Sequence, residues 1–175
     1  TLEVGMISTE RMYGYNLTLG QRLARLRALT QGADTAWRME SATFRCRLED
    51  MPALRRLLHC YVGVLPRQLA QTAACTRFHV VEERLARWLL MTQDRAHSDS
   101  FDVTQEFLAF MLGVRRVGVT TAAGALQLRK LIRYKRGSMT VLDRGRLEAV
   151  ACTCYRSDLE IYRQGLAAIR KHQRS

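Results

Sequence analysis

Over residues 50–78 the apolar positions Leu54, Leu58, Tyr61, Leu65 and Leu69, followed by Thr72, recur at intervals of three and four. That spacing keeps one stripe on one side of an α-helix and predicts a single long helix. Asp50 or Met51 can cap its start, and Pro52 suits the first turn, where a missing N–H is not needed. Pro66 falls inside the pattern and predicts a kink, because it removes one backbone hydrogen bond and crowds the preceding turn. Such a stripe has two uses: the core of a monomer, or a coiled-coil-like seam between two copies of the chain. Before residue 50 the pattern is weaker. Thr1–Ile7, Arg25–Thr30 and Thr35–Met39 read as strands, the last two parted by the turn Gly32-Ala33-Asp34, with a helix over Leu19–Leu29 as the alternative. Met12–Leu19 reads as a turn and a short element.

After residue 78 the helical period returns. His79–Thr92 carries Leu85, Ala86, Trp88 and Leu89 on one face, with Glu82 and Glu83 near its start, where negative charge favours the helix dipole. Ala96–Asp102 reads as a polar loop. Thr104 is a helix cap, and Gln105–Leu112 is a short helix with Phe107, Leu108 and Met111 facing inward. Gly113 can take the left-handed conformation that ends a helix and starts a tight turn. A second helix then opens at Val114 or Arg115 and runs to about Lys130, burying Val119, Ala122, Ala123, Leu126 and the stem of Lys130. Small Ala109 lets the two helices cross closely. Helix, glycine turn and helix at this spacing make a helix-turn-helix. Leu131–Tyr134 and Met139–Leu142 are short β-prone runs joined through Arg136-Gly137-Ser138, and together they read as a two-stranded wing.

Charge sharpens this picture. The net charge is +12, and residues 107–142 hold Arg115, Arg116, Arg129, Lys130, Arg133, Lys135 and Arg136 without one acidic side chain. One-signed charge confined to one segment suits a polyanion. In a helix-turn-helix the second helix lies in the major groove with its N-terminal residues against base edges. Arg115 and Arg116 stand at that end; an arginine fork matches the O6 and N7 acceptors of guanine. Val117 can touch a thymine methyl, and Thr120 and Thr121 can donate to base or phosphate. Arg133, Lys135 and Arg136 on the wing suit flanking phosphates. With Thr104, these residues form the expected DNA-binding set.

The stretches VEERLARWLLM (Val81–Met91), LAFMLGVRR (Leu108–Arg116) and LIRYKRGSMTVLD (Leu131–Asp143) resemble, in order and spacing, the DNA-binding half of the Crp/Fnr family of bacterial transcription regulators. The resemblance covers about Val81 to Tyr155. EVGMI (Glu3–Ile7) and RALTQ (Arg27–Gln31) resemble the last strands of that family's cyclic-nucleotide-binding β-roll. The resemblance implies an α+β chain: a partial β-roll over 1–49, a dimerisation helix over 50–78 and a winged helix-turn-helix domain with a C-terminal helix over 79–175. It favours the dimer reading of the long helix, with Leu54, Leu58, Tyr61, Leu65 and Leu69 facing the second copy. Two departures narrow what it implies. The family often has Glu where this chain has Val117, so the family's usual operator does not follow. A cAMP-binding member has a Gly-Glu pair where this chain has Gly14-Tyr15, and Arg27 alone makes no phosphate cassette, so a response to cAMP is not expected.

Other functions find less support. No Ser-His-Asp set, Gly-rich phosphate loop or paired carboxylates is visible, so no catalytic residue and no cofactor is expected. The alternatives are a winged helix used for protein or RNA contact, and a ligand-binding regulator with vestigial DNA binding. Cys46, Cys60, Cys75, Cys152 and Cys154 form no CxxC and show no zinc-like spacing to a histidine, so they read as plain thiols with no metal. Cys152 and Cys154, two apart on an expected helix, should point to different faces. No apolar run of about 18 residues exists, so no membrane partner is expected. The expected setting is the bacterial cytoplasm. The expected partners are an inverted-repeat duplex, a second copy of the chain, RNA polymerase and an effector of unknown kind, if any. The first residue is Thr1 rather than Met, which points to a piece of a longer protein; the first half of the roll has no counterpart in the sequence, so either the chain is a fragment or the remaining roll is built some other way.

Overall fold

Pro52 starts the longest element as expected. In a computed structural model of the chain, described over residues 5–7, 12–23, 26–31 and 35–172, helix α2 spans Pro52–Phe78 and continues through Pro66. A helix α1 (Ser41–Asp50) precedes it, parted from α2 by Met51 alone. Then come α3 (Val81–Ala96), β1 (Ser100–Asp102), α4 (Gln105–Leu112), α5 (Arg116–Leu128), β2 (Ile132–Lys135), β3 (Ser138–Val141), α6 (Arg144–Val150) and α7 (Cys154–His172). The chain forms two compact units, one built around Leu69–Leu159 and the other around Ile7–Gln68.

In the first unit α3 packs on α5 and α6, and α4 packs on α5. Leu85, Leu89, Leu90, Leu108, Val119, Leu126, Leu131, Met139 and Leu147 are fully buried in one core. Trp88 meets the rings of Phe101 and Phe107 edge-on, with centroids 6.4 and 6.5 Å apart. Ten consecutive residues of α3, Arg84–Gln93, are buried, including two arginines. Arg84 donates to the Leu112 carbonyl at the end of α4, satisfying a helix-terminal acceptor. Arg87 forms a buried ion pair with Asp158 of α7. At the far end of α3, Arg144 donates to Gln93 (2.9 Å), Asp94 (2.7 Å) and Tyr155 (2.6 Å), and so fastens α6 and α7 to it.

The sheet has three strands in the order β1-β3-β2, all antiparallel. The polar loop expected over Ala96–Asp102 therefore contains a strand: Ser100 pairs with Thr140 and Asp102 with Ser138. The expected Lys130 stem is exposed, because Lys130 takes a positive φ of 56° in the turn between α5 and β2. Cys152 and Cys154 do not share a helix. Cys152 precedes α7, and both thiols are buried against Cys75.

In the second unit a 3-10 turn, Tyr15–Leu19, packs on α1. The Tyr15 ring stands edge-on to Tyr61, with centroids 6.4 Å apart, and the Tyr61 hydroxyl donates to the Met12 carbonyl at 3.3 Å. The strands expected over Arg25–Thr30 and Thr35–Met39 are not formed at residues 26–30 and 35–39, nor is one at residues 5–7; Thr1–Val4 and Arg25 lie outside the described residues. A strand needs a neighbour to accept its ladder, and among the described residues none pairs with these segments. The α+β class rests on the helices together with the three-stranded sheet.

Candidate nucleic-acid interface

Local chemistry builds the helix-turn-helix residue by residue. The Thr104 hydroxyl accepts from the Phe107 backbone N–H at 3.1 Å and caps α4. Gly113 ends α4 with a φ of 63°, in the left-handed region where a side chain is strained. The Val114 N–H then bonds back to the Ala109 carbonyl at 3.0 Å, which closes the turn. Arg115, in extended conformation, caps α5 without a side-chain hydrogen bond. The first N–H groups of α5 therefore have no side-chain acceptor, and a helix end in that state attracts an anion.

The two faces of α5 are chemically distinct. Val119, Ala122, Ala123 and Leu126 are buried, while Arg116, Val117, Thr120, Thr121 and Gly124 are exposed, one helical turn after another. Val117 is 68% exposed, so its methyls are free to meet a partner. The Thr120 hydroxyl is within donor reach of Gln105 Oε1 (2.7 Å) and the Arg116 carbonyl (3.1 Å), and Thr121 donates to the Val117 carbonyl at 3.0 Å. Both hydroxyl hydrogens are thus engaged within the protein. The donor role at base or phosphate expected from sequence would require each hydroxyl to exchange this internal acceptor for one on the duplex.

The wing follows directly. Ile132 pairs with Val141 and Lys135 with Ser138, and the intervening Arg136 and Gly137 have φ values of 52° and 84°. Two positive φ values in a two-residue connection match the twist of the strands it joins. Arg133 and Lys135 point outward on alternate positions, while Tyr134 turns inward and its hydroxyl donates to the Val103 carbonyl at 3.0 Å. Gln127 Oε1 accepts from the Tyr134 N–H at 2.8 Å and so ties the wing to α5. Of the seven basic residues in this stretch, Arg129 is ion-paired to Glu82 at 3.0 Å. Arg115, Arg116, Lys130, Arg133, Lys135 and Arg136 are exposed and have no ion pair among the described residues.

The expected seam on α2 divides. Leu58 and Tyr61 are buried by the chain itself, Leu54 and Leu65 are half-buried, and Leu69 is exposed. Gln105 and Gln127, which position Thr120 and the wing, carry no sequence signal beyond being polar at helix surfaces. A group of four went unread as well. Cys75, His79, Cys152 and Cys154 place their ligand atoms within 4.8 Å of one another. The Cys75–His79 interval of four, one turn of helix, is the signal that could have exposed half of it. A hydrogen bond from Cys152 lowers the Cys75 thiol to about 6; burial opposes that shift and the nearby Arg87 adds to it.

Residues 83–150 match the family model of the Crp-like helix-turn-helix domain. Among solved structures the chain is similar to FixK2 from Bradyrhizobium japonicum, at 15% identity and a TM-score of 0.59 over 66% of this chain and 60% of that one. It is also similar to a protein assigned to the Crp/Fnr family of transcriptional regulators from Eubacterium rectale, at 20% identity and a TM-score of 0.50 over 63% and 51% of the two chains. A variant of CooA from Carboxydothermus hydrogenoformans gives 18%, 0.51, 62% and 53% for the same quantities. These likenesses show a shared fold, and the chain spans between about half and three-fifths of the length of each structure. No curated protein matches the chain by sequence. Among the described residues no helix is long and apolar enough to cross a membrane.

Proposed function

We propose that the chain, whose residues 83–150 match the model of the Crp-like helix-turn-helix domain, is a sequence-specific, duplex-DNA-binding regulator of transcription. The observation that carries this reading is the row of unpaired cations running from the N-terminus of α5 to the tip of the wing, beside an exposed helix face with no acidic residue. In the proposed complex α5 lies in the major groove. Arg115 and Arg116 reach guanine edges, Val117 meets a thymine methyl, and Thr120 and Thr121 accept from base amino groups. Arg133, Lys135, Arg136 and the open N-terminus of α5 hold phosphates. Thr104 acts through its cap, by fixing α4 under α5.

Two copies of the chain, joined along α2, would bring two recognition helices to half-sites about 34 Å apart on an inverted repeat. Leu54, Leu65 and Leu69 are the expected seam residues that remain wholly or partly open to such a partner; Leu58 and Tyr61 support α2 from within. Response to cAMP is not part of the proposal. Gly14 opens the 3-10 turn, Tyr15 packs against Tyr61 where the ribose-binding acid would stand, and Arg27 is exposed.

The test separates base reading from phosphate holding. Arg116→Ala should weaken a specific duplex by roughly 1–3 kcal/mol and relax preference at one base position per half-site. Arg136→Ala should weaken cognate and scrambled duplexes alike and reduce the slope of affinity against salt by about one unit. Fluorescence anisotropy across salt concentrations measures both. Equal loss on cognate and scrambled duplexes for Arg116→Ala would make it a phosphate contact only, and tighter binding to RNA than to duplex DNA would overturn the reading.

A further inference from the structure

We propose that Cys75, His79, Cys152 and Cys154 are the four ligands of a structural metal site of the zinc class, a function that the DNA-binding reading neither uses nor requires. Three thiols and an imidazole are a soft donor set, suited to zinc and ill-suited to magnesium or calcium. Their placement fits a tetrahedron. Zinc–sulfur bonds of about 2.3 Å and zinc–nitrogen bonds of about 2.0 Å put neighbouring ligand atoms roughly 3.5–3.8 Å apart. Cys75 Sγ and Cys152 Sγ are 3.5 Å apart, Cys154 Sγ and His79 Nδ1 are 3.7 Å apart, and all four ligand atoms lie within 4.8 Å. Small side-chain rotations close the remaining gap.

The surroundings suit the charge. Zinc with three thiolates carries one net negative charge, and the Arg87 guanidinium lines the same small cavity as Cys75. The three sulfurs are buried, so four protein ligands would leave no open coordination position, which is the arrangement of a structural site. The ion would tie the last turn of α2 to the start of α7, closing a loop between residues 77 positions apart. Cys46 and Cys60 take no part: Cys46 is exposed, Cys60 half-buried, and neither belongs to the group.

The test uses the full chain, reduced, stripped of metal with a chelator and titrated anaerobically with cobalt(II) alone. The expected result is one cobalt per chain, with the visible bands of tetrahedral cobalt and sulfur-to-cobalt charge transfer in the near ultraviolet, displaced by zinc. Cys152→Ser and His79→Asn should each weaken uptake by at least about tenfold, while Cys46→Ser and Cys60→Ser leave it unchanged. Thiol titration of the unaltered chain gives a readout that does not depend on any variant folding. Bound zinc should protect three of its five thiols. Failure of the reduced chain to take up cobalt with thiolate charge transfer, or five thiols reacting alike with and without zinc, would overturn the proposal. A Cys75–Cys152 disulfide whose reduction restores no metal uptake would overturn it too.

Discussion

Replacing Arg87 with methionine is expected to destabilise the chain by about 3–5 kcal/mol, because it strands the Asp158 carboxylate in the interior. Arg87 donates to Asp158 Oδ2 through Nε at 3.1 Å and also through Nη2, and both side chains are about nine-tenths buried. Burial works to lower the guanidinium's pKa, and the charge and hydrogen bonding of Asp158 more than offset it, so Arg87 stays charged. Among the described residues nothing donates to Asp158 Oδ1, so removing Arg87 leaves both oxygens without a partner. The double replacement Arg87→Met with Asp158→Leu should recover most of the loss, since an apolar pair of similar volume avoids the desolvation cost. Denaturant unfolding of the two single variants and the double variant measures this. A loss under about 1 kcal/mol for Arg87→Met would mean that water reaches Asp158 and that α7 is held to α3 without this pair, by packing and the Tyr155–Asp94 hydrogen bond.

Leu108→Ala should cost about 2–5 kcal/mol. Leu108 is fully buried on the inner face of α4, in the core shared with Trp88, Val119 and Leu126. Its removal leaves a cavity beneath the helix that would read DNA. Phe110, two residues on, is 42% exposed, and Phe110→Ala should stay within about 0.5 kcal/mol despite deleting the larger side chain. Unfolding midpoints of the two variants decide the matter. Equal losses, or a larger loss for Phe110→Ala, would mean that the inner face of α4 is wrongly assigned and that α5 is held some other way.

Legibility in the sequence followed the strength of local chemistry. Thr104, Gly113 and the pair Arg136-Gly137 each impose a backbone state within three or four residues, so α4, the turn and the wing could be read almost to the residue. The strand β1 could not. Its single apolar residue, Phe101, sits between Ser100 and Asp102, and its ladder is supplied by β3 nearly forty residues later. Helix α1 was missed for a related reason: only Phe44 is buried, so no stripe announces it. Arg84, Arg87 and Gln93 look like surface residues in sequence. Their interior partners are the Leu112 carbonyl, Asp158 and Arg144, which only the fold brings close. The same holds for Cys152, which meets Cys75 across 77 positions of sequence.

Selection of bound sequences from a pool of random duplexes, made with the full chain under reducing conditions, tests the DNA-binding proposal most directly. Sequence-specific reading by two copies of α5 predicts an enriched inverted repeat with half-sites centred roughly 10 base pairs apart and a guanine in each half, lost when the selection is repeated with Arg116→Ala. A pool that remains unenriched, or one enriched equally by wild type and Arg116→Ala, would contradict it.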